Sequence, residues 1–381
     1  MRVAIVPFQF PVISETFVIN IATGLIDRGH DVGIFPLFHP QVDSTAVHPI
    51  VKEYNLLKKT YFPPRVLIGR KSLQLPNFLR FLSYAGLESY DIVHFQFGAA
   101  ALDCLPLRSF KFFKGKWVVS FRGFDISSFL ESRGQQVYDQ LFQKADLFLS
   151  NSDLFRNRLI KLGCDPGRAF VYRSGIDCRK FSYSERSGKN LQTIKLLSVG
   201  RLVEKKGVEY GIRAAAQFLR DNVNIEYLII GDGPLKPRLQ KLIDDYGLGK
   251  QIKLVGSQDQ NFIIQALKDA HILISSGVTA DDGDQNGPDN TIKEAMATGL
   301  PVIASRTGAI EEVVQDERTG FLVSERNADD IVKKIKYLLG RQEIWPSITK
   351  AAREFVEKQY NLNLLTDELI ARYQWIIQKA D

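Results

Sequence analysis

The sequence predicts an α/β protein with two domains, each built on a parallel β-sheet covered by helices. The length of 381 residues exceeds what one domain ordinarily holds. Short apolar runs alternate with helical patterns in the first half, and the alternation restarts after a polar stretch at residues 182–192. We therefore expect an N-terminal domain over residues 1–182 and a C-terminal domain over residues 190–361, with a ligand cleft between them.

The first domain is predicted from apolar runs whose length is typical of parallel strands buried on both faces. Strands are expected at residues 3–7, 31–36, 91–95, 117–121 and 147–150. Ser14 is expected to cap a helix that Gly29 closes. Ligands of such sheets bind beyond the carboxyl ends of the strands. His94 lies at one of those ends, where a ligand contact and a hydrogen-bonded structural role are equally compatible with the sequence.

The second domain repeats the pattern. Strands are expected at residues 194–199, 225–230, 252–255, 272–275 and 301–304, with helices at residues 208–219 and 235–246. The stretch from 281 to 309 is the most informative, because a polar loop runs directly into a helix that Gly299 ends. A helix N-terminus attracts anions, and Glu294 lies one turn inside, within reach of a ligand hydroxyl. A diphosphate joined to a sugar fits, although an ordinary loop between strand and helix has the same pattern.

Two further loops add possible ligand groups. Arg201 leaves a strand end and Lys206 precedes a helix, so both cations can converge on one anion such as a diphosphate. Residues 231–234 form a tight glycine turn. Each loop alone is weak evidence, since such turns are common.

Composition and charge indicate which partners and which cellular compartment to expect. The net charge is +7, and basic residues mix with aromatic ones at residues 52–81 and 107–117, which suits an anionic membrane surface better than nucleic acid; a solvated face over a core is the alternative. The three cysteines form no pair pattern and the histidines no metal-ligand spacing, so we expect a reducing compartment and no metal. No apolar run is long enough for a membrane span. These features predict a cytoplasmic protein that could sit peripherally at the inner membrane face.

Taken together, the motifs resemble family 4 of the retaining glycosyltransferases. They are GRLVEKKG at 200–207, GDGPL at 231–235, EAMATGLPVIAS at 294–305, GAIEEVV at 308–314 and GFLV at 320–323, with SETF at 14–17 and SGID at 174–177. The resemblance covers nearly the whole chain. It implies the GT-B architecture, in which two Rossmann-like, doubly wound domains face each other across a cleft, the N-terminal one for the acceptor and the C-terminal one for the nucleotide-sugar donor. A last helix, here residues 362–381, is expected to cross back to the N-terminal domain.

The resemblance also implies roles for individual residues. Arg201 and Lys206 match the pair that holds the donor diphosphate, and Glu294 matches the acid that binds the nucleotide ribose. The positions expected against the donor phosphate and sugar are Pro288, Asp289, Asn290 and Thr291. In this family the donor is a nucleoside diphosphate sugar, with UDP the first base to test, no other cofactor is needed and the reaction retains configuration without a metal. The leaving phosphate oxygen is thought to deprotonate the acceptor hydroxyl.

This sequence departs from the family pattern at three places. Asn286 stands where the first acid of a paired-glutamate motif is expected, although Asp281, Asp282 and Asp284 lie nearby. Arg122 stands where a histidine is common, followed by Asp125. The first loop, PVISE at 11–15, resembles the exopolysaccharide branch. We expect Ser14 and Arg122 on the donor side, and His94 and Asp125 on the acceptor side.

The sequence thus predicts a glycosyltransferase that moves a sugar from a nucleoside diphosphate sugar to a hydroxyl of a glycan or lipid-linked acceptor, in exopolysaccharide or cell-surface polysaccharide synthesis. Two alternatives remain. One is a degenerate member that binds a nucleotide sugar or glycan without turnover, which Asn286 favours. The other is a nucleotide-sugar epimerase of the same architecture, which the GRLVEKKG and EAMA motifs fit less well.

Overall fold

A computed structural model describes residues 1–12, 15–38, 49–61, 87–109, 114–188, 191–221 and 223–379. The chain forms two compact units: unit 1 is Met1–Gly175 with Leu362–Asp381, and unit 2 is Ile176–Asn361. The sequence placed the change of domain later, in the polar stretch that begins at residue 182. That stretch packs on unit 2, where Ser184 N donates to Thr298 O at 3.2 Å and Arg186 Nη2 donates to Leu267 O at 2.9 Å.

Unit 1 contains a parallel sheet. Its strands are β1 (Arg2–Val6), β2 (Asp31–Ile34), β3 (Ile92–Phe95), β4 (Lys116–Phe121), β5 (Leu147–Ser150) and β6 (Ala169–Val171). Within the described ranges they lie in the order β2-β1-β3-β4-β5-β6. Val3, Ala4 and Ile5 are successive in β1 and all fully buried. Because successive side chains of a strand point to opposite faces, the sheet is covered on both sides, as the apolar runs predicted.

The helices of unit 1 cover the two faces of this sheet. Among the described residues before the final helix they are α1 (Thr16–Ile26), α2 (Pro49–Glu53), α3 (Gly98–Cys104), α4 (Ser128–Arg133), α5 (Asp139–Lys144) and α6 (Asp153–Lys161). The start of α1 cannot be compared with the predicted cap, since Ser14 lies outside the described residues.

Unit 2 repeats this architecture. Its strands are β7 (Ile194–Val199), β8 (Ile225–Ile230), β9 (Ile252–Leu254), β10 (Ile272–Ser275), β11 (Val302–Ser305) and β12 (Phe321–Val323). They are parallel, in the order β12-β11-β10-β7-β8-β9 over the described residues. The three-residue edge strands β6 and β12 were not predicted, whereas β9, an edge strand of the same length, was.

The helices of unit 2 are α7 (Val208–Arg220), α8 (Lys236–Asp245), α9 (Gln260–Asp269), α10 (Asn290–Thr298), α11 (Ala328–Gly340) and α12 (Trp345–Gln359). Helix α10 ends at Gly299, whose φ is 78°. A Cβ there would approach Ser184 O to 2.5 Å, so the helix stop requires glycine.

The last helix, α13 (Leu362–Gln378), belongs to unit 1. It packs on α1 so closely that a Cβ on Gly24 would lie 2.7 Å from Thr366 Oγ1. Arg28 joins the two helices through an ion pair with Asp367 and a 2.9 Å hydrogen bond to Asn363 O. The prediction that the final helix returns to the N-terminal domain is confirmed.

Candidate active site

In unit 2, Lys206 and Asp289 meet at the carboxyl ends of β7 and β10. Gly207 makes this arrangement possible, because its φ of 55° turns the chain sharply and a Cβ would lie 1.9 Å from Ser276 O. Lys206 Nζ donates a hydrogen bond to Asp289 Oδ2. Their side chains are only 20% and 10% exposed, so this ion pair is shielded from solvent and stronger than a surface pair.

Asp289 also caps α10. Its Oδ1 accepts a hydrogen bond from Thr291 N at 3.0 Å. Burial raises the pKa of Asp289, but the charge and hydrogen bond of Lys206, with the Thr291 amide, outweigh it and leave that pKa below its ordinary value. A helix N-terminus and an ammonium group therefore hold an anion at this point, and that anion is the protein's own Asp289 carboxylate. Asp289 was expected against a donor sugar; the structure shows it as a cap and ion-pair partner.

Glu294 lies one turn further along α10. Desolvation raises its pKa to about 7, with the negative charge of Asp289 acting in the same direction and Lys293 against it. In the part of the chain that the structure describes, no hydrogen bond is made to the carboxyl group of Glu294. The side chain is partly exposed, and so it presents a carboxyl group that is ready to exchange a proton or accept a hydroxyl near neutral pH.

The neighbouring predicted residues differ in accessibility. Arg201 is exposed; its backbone carbonyl accepts from Val203 N at 2.9 Å, but its side chain has no hydrogen bond or ion pair with any described residue. Pro288 is buried, whereas Asn290 and Thr291, in the first turn of α10, are partly exposed. A small cavity under the loop is lined by Gly200, Lys206, Ser275, Asp289 and Thr291, which brings the two predicted loops to one place.

Asn286 is 4% exposed and supports the loop. Its Nδ2 donates to Lys205 O at 2.8 Å, and its backbone carbonyl oxygen accepts from Ala309 N at 3.0 Å. Lys205, which sequence reasoning did not single out, pairs with Asp284 at 2.6 Å. The amide at position 286 therefore ties the Lys205–Lys206 turn to the loop before α10, and Asp284, one of the suggested substitute acids, is already paired.

In unit 1, Arg122 follows β4 and lies among neutral partners. Its Nη1 donates to Ser174 Oγ at 3.0 Å, its Nη2 donates to Gln96 Oε1 at 2.9 Å, and the guanidinium lies 3.9 Å from the Phe17 ring centroid. Desolvation lowers the pKa of Arg122 to about 10, against the raising effect of Tyr172, Asp125 and Glu15. The group remains a cation at neutral pH.

His94 is fully buried in β3. Its Nδ1 lies 2.6 Å from Tyr373 Oη and its Nε2 lies 2.7 Å from Ser120 Oγ. Burial lowers the pKa of His94 to about 3, with Arg122 acting in the same direction, and so the ring is neutral. Both ring nitrogens have a hydrogen-bond partner inside the protein, so His94 has the structural role that was one of its two predicted roles. Neither nitrogen is left to contact an acceptor substrate.

Asp125 is fully buried and shapes the loop after β4. It accepts hydrogen bonds from Arg122 N at 2.9 Å, Gly123 N at 3.1 Å and Gly98 N at 2.9 Å. Burial raises its pKa while these bonds oppose the rise. Asp125 thus positions Arg122, and an acceptor contact by its carboxylate would have to replace these bonds. Ser14 lies outside the described residues.

The basic-aromatic segments are described only in part, since residues 62–86 and 110–113 fall outside the described residues. Leu57 and Tyr61 are 45% and 52% exposed, beside the exposed Lys58 and the partly exposed Lys59. In the second segment Trp117 is core, and Arg108 pairs with Asp146 at 2.9 Å. The first segment keeps a basic and apolar exposed surface, whereas much of the second is structural.

Within the described ranges, no three His, Cys, Asp or Glu side chains are grouped to hold a metal ion. Over the same residues, none of the helices has the length and hydropathy of a membrane span.

Solved structures of known proteins share this architecture along the whole chain. HepE of Anabaena, solved in complex with UDP, superimposes with a TM-score of 0.77 at 16% identity, over 98% of this chain and 100% of that one. Sucrose-phosphate synthase from Thermosynechococcus elongatus gives a TM-score of 0.78 at 17% identity, over 100% of both chains. At these identities the likeness establishes the fold. It is GT-B, with two Rossmann-like domains, as predicted.

Sequence similarity identifies the family. The domain model described as Glycosyltransferase Family 4 matches residues 14–180, and the one described as Glycosyl transferases group 1 matches residues 180–355. The chain belongs to this glycosyltransferase family, and the resemblance that its motifs indicated is confirmed.

Two relatives match almost from end to end. AmsK of Erwinia amylovora, an amylovoran biosynthesis glycosyltransferase, is 33% identical over 97% of this chain and 98% of its own length. WcaL of Escherichia coli strain K12, named as a candidate colanic acid biosynthesis glycosyltransferase, is 32% identical over 98% of this chain and 100% of its own.

Proposed function

We propose that the protein is a retaining glycosyltransferase that transfers a sugar from a nucleoside diphosphate sugar to a hydroxyl of a glycan or lipid-linked acceptor, in exopolysaccharide or cell-surface polysaccharide synthesis. The observation that carries the proposal is the anion position at the N-terminus of α10, where Lys206 and the Thr291 amide hold the Asp289 carboxylate. The similarity to AmsK and WcaL, which are named for amylovoran and colanic acid biosynthesis, supports the pathway class.

The donor diphosphate is proposed to take the place of the Asp289 carboxylate next to Lys206. Arg201, exposed at the end of β7, is available to pair with the same diphosphate. Glu294 would accept a hydrogen bond from a ribose hydroxyl, one turn along α10 from the phosphates. UDP is the first nucleotide to test, because HepE was solved with UDP.

In the proposed reaction the bond between the anomeric carbon and the diphosphate oxygen breaks, and a bond from that carbon to the acceptor oxygen forms on the same face. The proton of the acceptor hydroxyl passes to the leaving diphosphate. Arg201, Lys206 and the helix N-terminus stabilise the negative charge that develops on the diphosphate, which is the work that a metal does in other transferases.

Thermal unfolding with UDP, GDP and ADP, alone and as sugar conjugates, tests the donor site. A ligand at 100 times its Kd stabilises the native state by about 2.7 kcal/mol. We expect one diphosphate series to raise the Tm and Lys206→Ala to abolish the rise. Lys336→Ala is the matched control, because Lys336 pairs with Asp221 on an exposed surface of the same unit. An unchanged ligand response in Lys206→Ala would contradict the site.

The anomeric configuration of the product, read by NMR, tests retention, and turnover in excess EDTA tests metal independence. A product of inverted configuration, or activity lost to EDTA and restored by a divalent cation, would contradict the mechanism. Donor binding without turnover against any acceptor would favour the degenerate alternative, in which Asn286 serves only as the loop support that its 2.8 Å bond to Lys205 O describes.

Peripheral contact with an anionic membrane is proposed for the segment around Leu57 and Tyr61, where exposed apolar side chains adjoin Lys58 and Lys59. Flotation with vesicles containing phosphatidylglycerol tests it. We expect binding that Lys58→Glu with Lys59→Glu removes and that phosphatidylcholine vesicles do not support. Equal flotation of the double variant would contradict the contact.

A further inference from the structure

Four loops of unit 1 each bring one phenylalanine to the carboxyl edge of the sheet. Phe38 follows β2, Phe8 follows β1, Phe97 follows β3 and Phe124 follows β4. The rings lie in the same order as these adjacent strands: the centroids of Phe38 and Phe8 are 6.3 Å apart, those of Phe8 and Phe97 are 5.4 Å apart, and those of Phe97 and Phe124 are 6.0 Å apart. We call these four residues the phenylalanine platform.

The platform is open to solvent at both ends. Phe38 and Phe124 are each 38% exposed, and Phe8 and Phe97 are partly buried against the core. A soluble protein gains stability by burying phenylalanine, so a continuous row of partly exposed rings at the ligand-binding edge of a parallel sheet indicates a binding surface.

Polar groups follow the same strands as the platform phenylalanines or the adjacent β5, and Phe17 links one of them to Phe97. Arg122 precedes Phe124 by two residues and stacks on Phe17, whose ring centroid is 5.9 Å from that of Phe97. Gln96, fully buried, precedes Phe97 and accepts from Arg122 Nη2. Asn151, after β5, donates to Arg122 O at 3.1 Å. Loops of three neighbouring strands therefore place these side chains together.

Three polar atoms of this group are enclosed without a hydrogen-bond partner among the described residues. They are Gln96 Nε2, Arg122 Nε and Asn151 Oδ1. An enclosed polar atom without a partner costs about 1–3 kcal/mol, and native structures keep few of them. Two of these atoms belong to donors and one is an acceptor, which is the combination that sugar hydroxyls satisfy, since each hydroxyl both donates and accepts.

We propose that the platform and this polar group bind a saccharide ring of the acceptor, with the apolar C–H face of the ring on Phe97 and Phe124 and its hydroxyls on Gln96, Arg122 and Asn151. This inference rests on the proposed function, because it takes unit 1 as the acceptor domain. It assigns Arg122 to the acceptor saccharide rather than to the donor. It also names Phe124, Gln96 and Asn151 as specificity residues.

The chemistry of the site selects a saccharide over other ligands. A hydrocarbon chain would cover the platform and leave the three polar atoms unsatisfied. A simple anion would pair with Arg122, but it would be repelled by Asn151 Oδ1 and has no apolar face to pack on the phenylalanine rings. The three atoms are enclosed, and so binding requires the Gln96 and Arg122 side chains to turn toward the ligand.

A tryptophan reporter in the full chain tests the proposal without an identified acceptor. Phe124→Trp keeps an aromatic ring on the platform and adds a fluorophore. Phe262→Trp, at a 41% exposed position of α9 in unit 2, is the matched control. Methyl α-D-glucopyranoside, methyl α-D-galactopyranoside and methyl α-L-fucopyranoside are the probes, and emission is read against the wild-type background. We expect at least one glycoside to give a saturable change in Phe124→Trp and none in the control.

Second variants separate recognition from folding. Gln96→Met or Asn151→Ala, each in the Phe124→Trp background, removes one polar partner and should weaken glycoside binding about tenfold, while melting curves show that each variant is folded. The absence of a saturable response to every glycoside would overturn the proposal. So would a response to phosphatidylglycerol vesicles alone, or an affinity that both second variants leave unchanged.

The outcome is distinguishable from failure of the proposed function. UDP stabilisation with no glycoside response overturns this inference and leaves the donor site in place. Glycoside binding with no stabilisation by any nucleoside diphosphate supports the saccharide site and overturns the transferase proposal.

Discussion

The carboxyl edges of the two sheets have the same backbone architecture and opposite chemistry. In unit 2 the edge holds charges that are already paired, with Lys206 on Asp289 and Lys205 on Asp284. In unit 1 the edge holds a row of phenylalanines and the cation Arg122, whose side chain donates to the neutral Ser174 and Gln96. A parallel sheet thus supplies a place for ligands, and the loop residues alone decide which ligands they are.

The two edges also differ in whether their polar side chains have partners within the protein. In unit 2 the Asp289 carboxylate lies beside Lys206 and the Thr291 amide, at the position that the proposed function gives to a donor phosphate. Unit 1 leaves polar atoms unsatisfied, so a ligand there would supply hydrogen bonds that are missing. The unit 2 edge therefore suits a charged ligand group, and the unit 1 edge suits hydroxyl groups.

The largest expected effect is at the turn that places Lys206. Gly207→Ala should lower the free energy of unfolding by about 4 kcal/mol, because the new Cβ meets Ser276 O at 1.9 Å and φ is positive. It should also remove nucleotide stabilisation. Gly247→Ala is the control, with φ of +67° and no atom within 4 Å of the added Cβ; it should cost only about 1–2 kcal/mol. Urea unfolding measures both, and equal losses would show that the close approach does not matter.

Glu294 gives a pH-dependent contrast within unit 2. Its pKa in the folded state is raised from 4.5 to about 7, so the native state binds more protons than the unfolded state between these values. The stabilisation from protonated Glu294 is fully present below pH 4.5 and is lost as the pH rises through 7.

Melting curves from pH 4.5 to 8 test this. Glu294→Gln, which keeps an uncharged side chain, should be more stable than the wild type at pH 8 by roughly 2–3 kcal/mol and should match it near pH 4.5. Glu354→Gln, at an exposed position of α12, is the control and should follow the wild type throughout. A constant difference between Glu294→Gln and the wild type at every pH would contradict a perturbed carboxyl group.

A double-mutant cycle tests whether Lys206 and Asp289 stabilise the unit 2 edge as a pair. Lys206→Met leaves the Asp289 carboxylate without its main partner and should cost about 1–3 kcal/mol of stability. Adding Asp289→Asn should recover much of this loss, since an amide can still accept from Thr291 N and needs no cation. Urea unfolding of both single variants and the double variant gives the coupling. Additive losses would show that the two residues stabilise the loop independently.

The sequence was sufficient for the architecture and for the sheet edge of unit 2 at which it predicts a ligand. Apolar runs located the central strands of both sheets, and the motifs around Lys206 and Glu294 located the unit 2 edge, because these signals are local. The partners were not predictable. Asp289 was expected against a donor sugar, which stays a prediction; its cap on α10 and its pair with Lys206 were not predicted, because they depend on how two loops far apart in sequence pack together.

The phenylalanine platform shows the same limit. Its members are scattered from residue 8 to residue 124, and they become neighbours only through the order β2-β1-β3-β4. Crossover connections set that order, and no periodicity within one segment reveals it. Asn286 is similar: its substitution for an acid was visible, but its bond to Lys205 O required the fold.

The smallest expected effect separates a buried polar network from a ligand contact in unit 1. Tyr373→Phe removes the hydroxyl 2.6 Å from His94 Nδ1 and leaves that nitrogen enclosed without a partner, so the free energy of unfolding should fall by about 1–2 kcal/mol. Tyr337→Phe, at a 38% exposed position, should cost almost nothing. Because His94 has no ring nitrogen left for an acceptor, the glycoside response of the Phe124→Trp reporter should be unchanged in Tyr373→Phe. A lost response with intact folding would instead place His94 in the acceptor site.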